Sequence, residues 1–579
     1  MDRHRCSPSN STKYCSELAD MVRYVLIFLL PFFNLGESLK SGQCTRSPEK
    51  TNIDLNITDG RITGITGVTA EENKPYIAFK GIPYAEPPVK NLRFEPPVAK
   101  KPWNGTLNCT YDKSQCIQGS NPVAGSEDCL FINVYTRSLT GKSGVLVFIH
   151  GGTFITGNSS ETLQGPDHFL NEGLVFVQFN YRLGFFGFIS TEDLVVPGNL
   201  GLKDQVVALK WIQKNIAFFG GDPKNVTLFG QSAGSSSISY HMQSELSKGL
   251  FQRTIMDSGT SLCLWSLARD SRSTAFKIGS TLGIVTNNST KLITGLKNIS
   301  YEALQEASSR IYTQVTLNNV LDGFAFGPVQ EVVHDGAFFT GKSEEMLRTG
   351  NYTKVPSLLG VNSNEAASAK SVSGIIRLFL AQLDVSPTIL SPANLNNERG
   401  IFQPKRVGAN ARIKCEYFNC LSISLAPEDK ISEFISNDQF DRPVRKTAMD
   451  ISQYSTTYMY VFSYVGALGG SLNRTLKGVG HTEELAYLFK SNLSNISEDD
   501  TLMRRRMVRM WSNFAKYGNP TPFQDPLLQN ITWSATHGNN VTYLNIDKIL
   551  QVSLNPFSDK MEFYDKIYKD FGTPPYSTY

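Results

Sequence analysis

Ser232 sits in the run Gly230-Gln231-Ser232-Ala233-Gly234, directly after the apolar segment Val226–Phe229 and before residues 235–241, which can continue as a helix. A serine on such a strand–turn–helix junction is presented at the tip of a sharp turn, with glycines at the two positions where a side chain would clash. This arrangement, a nucleophile elbow, suits attack on a carboxylic ester. The pentapeptide by itself carries little weight: with 46 glycines in 579 residues, composition alone produces Gly-x-Ser-x-Gly in roughly a third of such chains. Its flanks do the discriminating.

An uncharged serine is a poor nucleophile, so it needs an imidazole to take its proton and an acid to orient that imidazole. The chain has seven histidines, at positions 4, 150, 168, 241, 334, 481 and 537. His150 ends an apolar run, and His241 falls on the helix after the serine, where it is expected to point away. His481 stands in the Gly-rich stretch Gly478-Val479-Gly480-His481-Thr482-Glu483-Glu484, ahead of an expected amphipathic helix, and is the candidate base. The chain order serine, acid, histidine places the acid between Ser232 and His481. Glu365 fits, in the polar loop Asn362–Ala366 after the strand candidate Val355–Val361; Asp438 and Asp441 satisfy the order but follow no clear strand. Charge developing on the ester carbonyl requires donors, and His150-Gly151-Gly152-Thr153-Phe154 offers backbone N–H groups after a strand, with Ala233 N–H as a further one. This chemistry calls for no metal or cofactor, and the spacing shows no zinc framework.

The elements that must position these residues are legible as well. Gly144–His150 is a continuous apolar run suited to a central strand, Leu174–Phe179 is another, and Asp204–Asn215 carries apolar residues at helical spacing just before the serine strand. Strand–helix–strand order of this kind implies an α/β fold with a large, mostly parallel sheet and helices on both faces. Asp59–Gly64 reads as part of a β-hairpin, and Thr457–Tyr464 as a later strand; residues 370–450 are the least readable. Hydrophobic residues at 40% and charged residues at 19% suit a large buried core. A net charge of +4 without a dense basic run argues against nucleic acid as a partner. The expected partner is a small-molecule carboxylic ester; nothing in the sequence sets an oligomeric state.

Tyr24–Phe33 is a ten-residue apolar run preceded by Arg23, too short for a membrane span of about 20 residues and suited to a signal-peptide core. Met21 makes the more ordinary start. Residues 1–41 are therefore read as an N-terminal extension and signal peptide, and 42–579 as a single domain with no stable membrane span. Asn-x-Ser/Thr acceptor sites, among them Asn56, Asn104, Asn351 and Asn540, favour a secreted, extracellular glycoprotein. Nine cysteines fit disulfides in that compartment, with Cys6 and Cys15 ahead of the signal core.

Further motifs follow in order: Phe79–Pro88, Arg93-Phe94, Glu127–Tyr135, Asn180–Phe188, Gly198–Gln205 and Trp511–Pro520. Together with the serine and histidine stretches they resemble the type-B carboxylesterase and cholinesterase family of α/β-hydrolases, from about residue 55 to 560. The resemblance implies a Ser232–His481–Glu365 triad, an oxyanion hole from Gly152, Thr153 and Ala233, and a supporting Ser258. It also implies structural ion pairs Arg93–Glu127 and Arg182–Asp204 and a Cys116–Cys129 disulfide. Partners for Cys44, Cys109, Cys263, Cys415 and Cys420 are not implied. Thr153 stands where this family usually has a third glycine, so a narrowed acyl pocket is expected. The family also includes catalytically dead adhesion modules, but this chain keeps every residue type of the triad and ends at Tyr579 without an apolar segment. The Cys116–Cys129 loop has no tryptophan to hold a quaternary ammonium, and Gln231 replaces the glutamate of cholinesterases. The closer resemblance is to secreted arthropod esterases, including the juvenile hormone esterase group.

Overall fold

The computed structural model describes residues 50–318, 321–368, 383–395, 403–470, 475–490 and 496–579. The expected signal segment lies outside these residues. Among them are thirteen strands: β1 (Asn52–Ile57), β2 (Gly60–Val68), β3 (Pro75–Pro83), β4 (Thr106–Asn108), β5 (Phe131–Thr136), β6 (Ser143–Ile149), β7 (Val175–Phe179), β8 (Gly221–Gln231), β9 (Arg253–Asp257), β10 (Ser357–Asn362), β11 (Thr457–Phe462), β12 (Thr542–Ile546) and β13 (Gln551–Leu554). They form one sheet in the order β1-β2-β3-β5-β7-β6-β8-β9-β10-β11-β12-β13, with β4 beside β2.

From β7 to β12 every neighbouring pair is parallel. The β1-β2-β3-β5-β7 end and the final β12-β13 pair are antiparallel, so the sheet is mixed, with its parallel part in the middle. Burial explains the division. All residues of β7, β10 and β11 are buried, as parallel strands covered on both faces must be. Edge strand β1 instead alternates exposed and half-covered residues.

Side chains alternate between two cores, as the period of two requires. Val145, Val147, Leu228, Leu359 and Val361 face one core with the helices Leu200–Asn215, Ala233–Gln243 and Arg442–Ile451. Leu146, Phe148, Phe229, Leu358 and Tyr460 face the other, under the helix Glu498–Tyr517. The poorly readable region contains helices Pro404–Phe418 and Glu428–Ser436, then a π turn at Asn437–Asp441 that interrupts the helical period before Arg442. Behind His481 the expected amphipathic helix is a five-residue 3₁₀ turn, Glu483–Tyr487.

The expected cross-links are present. Cys116 and Cys129 form a disulfide, and Cys415–Cys420, which spacing did not single out, forms a second. Cys109 and Cys263 are buried thiols. Arg93 makes two hydrogen bonds to Glu127, at 2.6 and 2.7 Å, and Arg182 binds Asp204 in the same forked manner at 2.8 and 2.7 Å. The first pair joins two loops, and the second ties the loop after β7 to the helix Leu200–Asn215.

Candidate active site

Ser232 joins β8 to the helix Ala233–Gln243 with φ 57° and ψ −120°, a conformation that costs a non-glycine residue strain. Its surroundings hold it there: its N–H donates to the Asp257 carbonyl at 2.8 Å, and its carbonyl accepts from Ser236 N–H at 2.9 Å. The glycines do what their positions suggested. A Cβ on Gly234 would overlap the Ile149 carbonyl, and one on Gly230 would sit 2.5 Å from the Gly234 carbonyl carbon. Because the clash is with backbone, Gly234→Ala is expected to destabilise the protein by more than about 3 kcal/mol. The check is a comparison of soluble yield and Tm; a variant melting with the wild type would refute this packing.

Glu365 begins a 3₁₀ turn after β10 and is 1% exposed. His481 Nδ1 lies 2.7 Å from Glu365 Oε2, and the two residues are also joined by His481 N–H to the Glu365 carbonyl at 2.9 Å. The other carboxylate oxygen, Oε1, accepts from Ser258 Oγ at 2.6 Å and Asn362 N–H at 2.7 Å. Three donors from three segments thus fix the acid. Asp438 is taken up by a buried ion pair with Arg442 at 3.1 Å. Asp441 lies on the same π turn and is buried, with Oδ1 lacking a hydrogen-bond partner. Neither rival touches the imidazole, but Phe440 between them packs on it at a centroid distance of 4.8 Å.

Electrostatics separate the half-buried His481 from the fully buried imidazoles. Burial pushes His150 down to about 4 and His168 and His241 to about 3, so these rings stay neutral. His241 also has both nitrogens engaged, by Ser247 at 2.7 Å and Gln205 at 2.8 Å. Burial acts on His481 in the same direction, but the hydrogen bond and charge of Glu365, with the charge of Glu484, outweigh it and raise the imidazole above its ordinary value. A ring that gains a proton readily beside a carboxylate is suited to base work.

The turn after β6 closes the site. Gly151 packs on the serine so tightly that a Cβ there would lie 3.1 Å from Ser232 Cβ. Gly152, Thr153 and Phe154 have φ of 105°, 54° and 61°, which turns successive peptide groups inward. The N–H groups of Gly152 and Thr153 have no protein acceptor among the described residues. His150 anchors the turn: its ring stacks on Tyr181 at 4.4 Å, and Tyr181 Oη donates to the His150 carbonyl at 2.9 Å. Thr153 is 7% exposed, and its Oγ1 has no hydrogen-bond partner.

The sequence profile of the carboxylesterase family matches residues 51–564. The chain belongs to the carboxylesterase family. It is 35% identical to juvenile hormone esterase from Tribolium castaneum over 517 residues, covering 82% of this chain and 86% of that protein. Identity to esterase FE4 of Myzus persicae is also 35%, over 80% of this chain and 84% of that one. The crystal structure of juvenile hormone esterase from Manduca sexta, with OTFP covalently attached, superposes with a TM-score of 0.79 at 28% identity. It covers 90% of this chain and all of that one. The fold is accordingly that of the α/β-hydrolases, and the protein is an enzyme of the carboxylesterase type.

Several groups around this carboxylesterase site were not visible in the sequence. Asn362 Nδ2 donates to Glu484 and to the Gly480 carbonyl at 2.8 Å, bracing the histidine turn against β10. Glu484 is fully buried, and burial together with the Glu365 charge pushes its carboxyl up to about 7. Asp257, at the end of β9, is fully enclosed beside Tyr460 and Trp511; burial and the charges of Glu484 and Glu365 keep it well above the usual carboxylate range. Gln231, which the sequence marks only as a departure from the glutamate of cholinesterases, places Nε2 3.2 Å from His481 Nε2. All are contacts between segments far apart in the chain.

Proposed function

We propose that this carboxylesterase is secreted, folds its mature chain as one domain, and cleaves small-molecule carboxylic esters through an acyl-enzyme on Ser232. The observation that carries the reading is the 2.7 Å contact between His481 Nδ1 and Glu365 Oε2, with His481 Nε2 3.2 Å from the amide of Gln231, the residue that precedes the strained Ser232. His481 Nε2 takes the Oγ proton of Ser232 as Oγ bonds to the ester carbonyl carbon. Its negative oxygen is met by the N–H groups of Gly152, Thr153 and Ala233. The imidazolium returns its proton to the leaving alkoxide as the ester C–O bond breaks, and a water deprotonated by the same nitrogen then hydrolyses the acyl-serine. Glu365 keeps its place throughout, accepting Nδ1–H. Each step uses groups of the chain and water.

Secretion is supported by the two disulfides and by exposed acceptor asparagines Asn56, Asn104, Asn351 and Asn540. No helix among the described residues is long and apolar enough to cross a membrane. An apolar hormone-type methyl ester is the favoured substrate, since two juvenile hormone esterases match the chain and an aromatic wall reaches the imidazole. In that wall Phe440 packs on Trp265 at 5.9 Å, and Trp265 on Phe324 at 6.0 Å.

Fluorophosphonate labelling of the secreted protein, followed by rates on esters varied separately in acyl chain and alcohol, tests this. Stoichiometric labelling and preference for a long apolar acyl group with a small alcohol are expected; an unlabelled, folded protein would overturn the reading. The Thr153 side chain should narrow the acyl pocket, so Thr153→Gly is expected to raise kcat/KM for branched acids relative to unbranched ones by about tenfold, a one-methylene-scale effect. An unchanged acyl preference would assign Thr153 no part in selectivity.

A further inference from the structure

Gln231 is 3% exposed, and its amide nitrogen is 3.2 Å from His481 Nε2, the nitrogen that the reading above makes the proton acceptor. The orientation of this amide follows from the rest of the network. Glu365 Oε2 is an acceptor at 2.7 Å from Nδ1, so Nδ1 carries the hydrogen of the neutral ring and Nε2 presents its lone pair. A lone pair takes an N–H, which turns the Gln231 NH₂ toward the histidine. The Gln231 carbonyl then faces Gly151, where a Cβ would come to 2.9 Å from Oε1. The residue before the serine therefore contacts both the histidine and the turn carrying the free N–H groups.

We propose that Gln231 is a positioning residue which, by donating to His481 Nε2 in the resting enzyme, holds the ring as the Nδ1–H tautomer and keeps it unprotonated for catalysis. The inference rests on the assignment of His481 as base. Around the ring burial favours the neutral form, while the charges of Glu365 beyond β10 and Glu484 on the turn behind His481 favour the cation; Asp441 on the π turn is held toward its neutral form by burial and the Glu365 charge. Phe440 covers a face without charge. An N–H aimed at Nε2 bonds only to the neutral ring and opposes those carboxyls. A glutamate in its place would reverse the sign and add a third carboxylate facing the imidazole.

The experiment is the pH dependence of kcat/KM from pH 5 to 9 on one good ester, for the intact secreted enzyme, Gln231→Glu and Gln231→Met, with active sites counted by fluorophosphonate titration. Activity requires the neutral ring and so rises with pH; raising the affinity of the ring for a proton moves that rise to higher pH. Gln231→Glu is expected to move it by at least about one unit, since a nearby opposite charge shifts a titration by one to three. That is a roughly tenfold loss at pH 6 per active site, with most activity regained at pH 9. Gln231→Met, which removes the donor without adding charge, should move the rise in the same direction by less and lower the plateau several-fold. If both variants rise at the wild-type pH, the inference is wrong while the assignment of His481 stands; if the wild type has no acid limb, the assignment itself fails. Were Gln231→Glu to fold poorly, Gln231→Met decides alone.

Discussion

Ser232→Ala is expected to lower kcat/KM by at least about 10⁴-fold while leaving Tm within about 2 °C of wild type. The size follows from what alanine removes. Without Oγ no acyl-enzyme forms, and what survives is the residual catalysis that an anion-binding pocket and substrate positioning give to water, about six orders of magnitude below the intact machinery when a nucleophile of this kind is removed. The fold should not notice, because alanine keeps the Cβ and the two backbone hydrogen bonds to Asp257 and Ser236 that hold the elbow. Steady-state rates on a chromogenic ester, with labelling by a fluorophosphonate as the control, give the answer. Retention of a tenth of the activity in a folded, unlabelled protein would move the nucleophile elsewhere.

The second large effect concerns the acid. Glu365→Gln should reduce kcat by about 10³–10⁴-fold without unfolding the chain, the scale seen when the acid of such a triad becomes an amide. Its origin lies in the donor count. Ser258 Oγ and Asn362 N–H both donate to Oε1, so the amide of a glutamine would put its carbonyl there and its NH₂ against His481 Nδ1. Facing a donor, Nδ1 presents its lone pair, the hydrogen moves to Nε2, and the ring can no longer accept the serine proton. Asp441→Asn serves as comparison, since Asp441 is buried beside the same group without touching the ring; its rate should stay within about tenfold of wild type. A larger loss in Asp441→Asn than in Glu365→Gln would exchange their roles.

Much of this site was legible because its parts are local. The elbow is written in eight or nine consecutive residues, and the steric reason for its glycines appears again in the structure at Gly230 and Gly234. Choosing among seven histidines needed only their flanks. Glu365 was preferred over Asp438 and Asp441 because a parallel strand delivers its next loop to the carboxyl edge of the sheet, and β10 does so. The Cys415–Cys420 bridge escaped because nothing in a five-residue spacing distinguishes it from other pairings. The antiparallel end of the sheet was under-read because its shorter, half-exposed strands lack the continuous apolar runs of β6 and β7. The π turn at Asn437–Asp441 shifted the helical period and hid the segment that packs Phe440 on the imidazole.

The sequence by itself determined the presented serine, its candidate base and acid, the glycine-rich turn that offers backbone donors, and the parallel heart of the sheet. These depend on steric and periodic rules that act over a few residues. The tertiary structure decided everything that depends on distance between remote segments: the contact of His481 with Glu365 across 116 residues, that of Gln231 with His481 across 250, and the buried carboxyls of Glu484 and Asp257 gathered behind them. Only the side-by-side order of β8, β9 and β10 brings those loops to one edge. Proton affinities are set there because burial and neighbouring charge, not residue type, govern them.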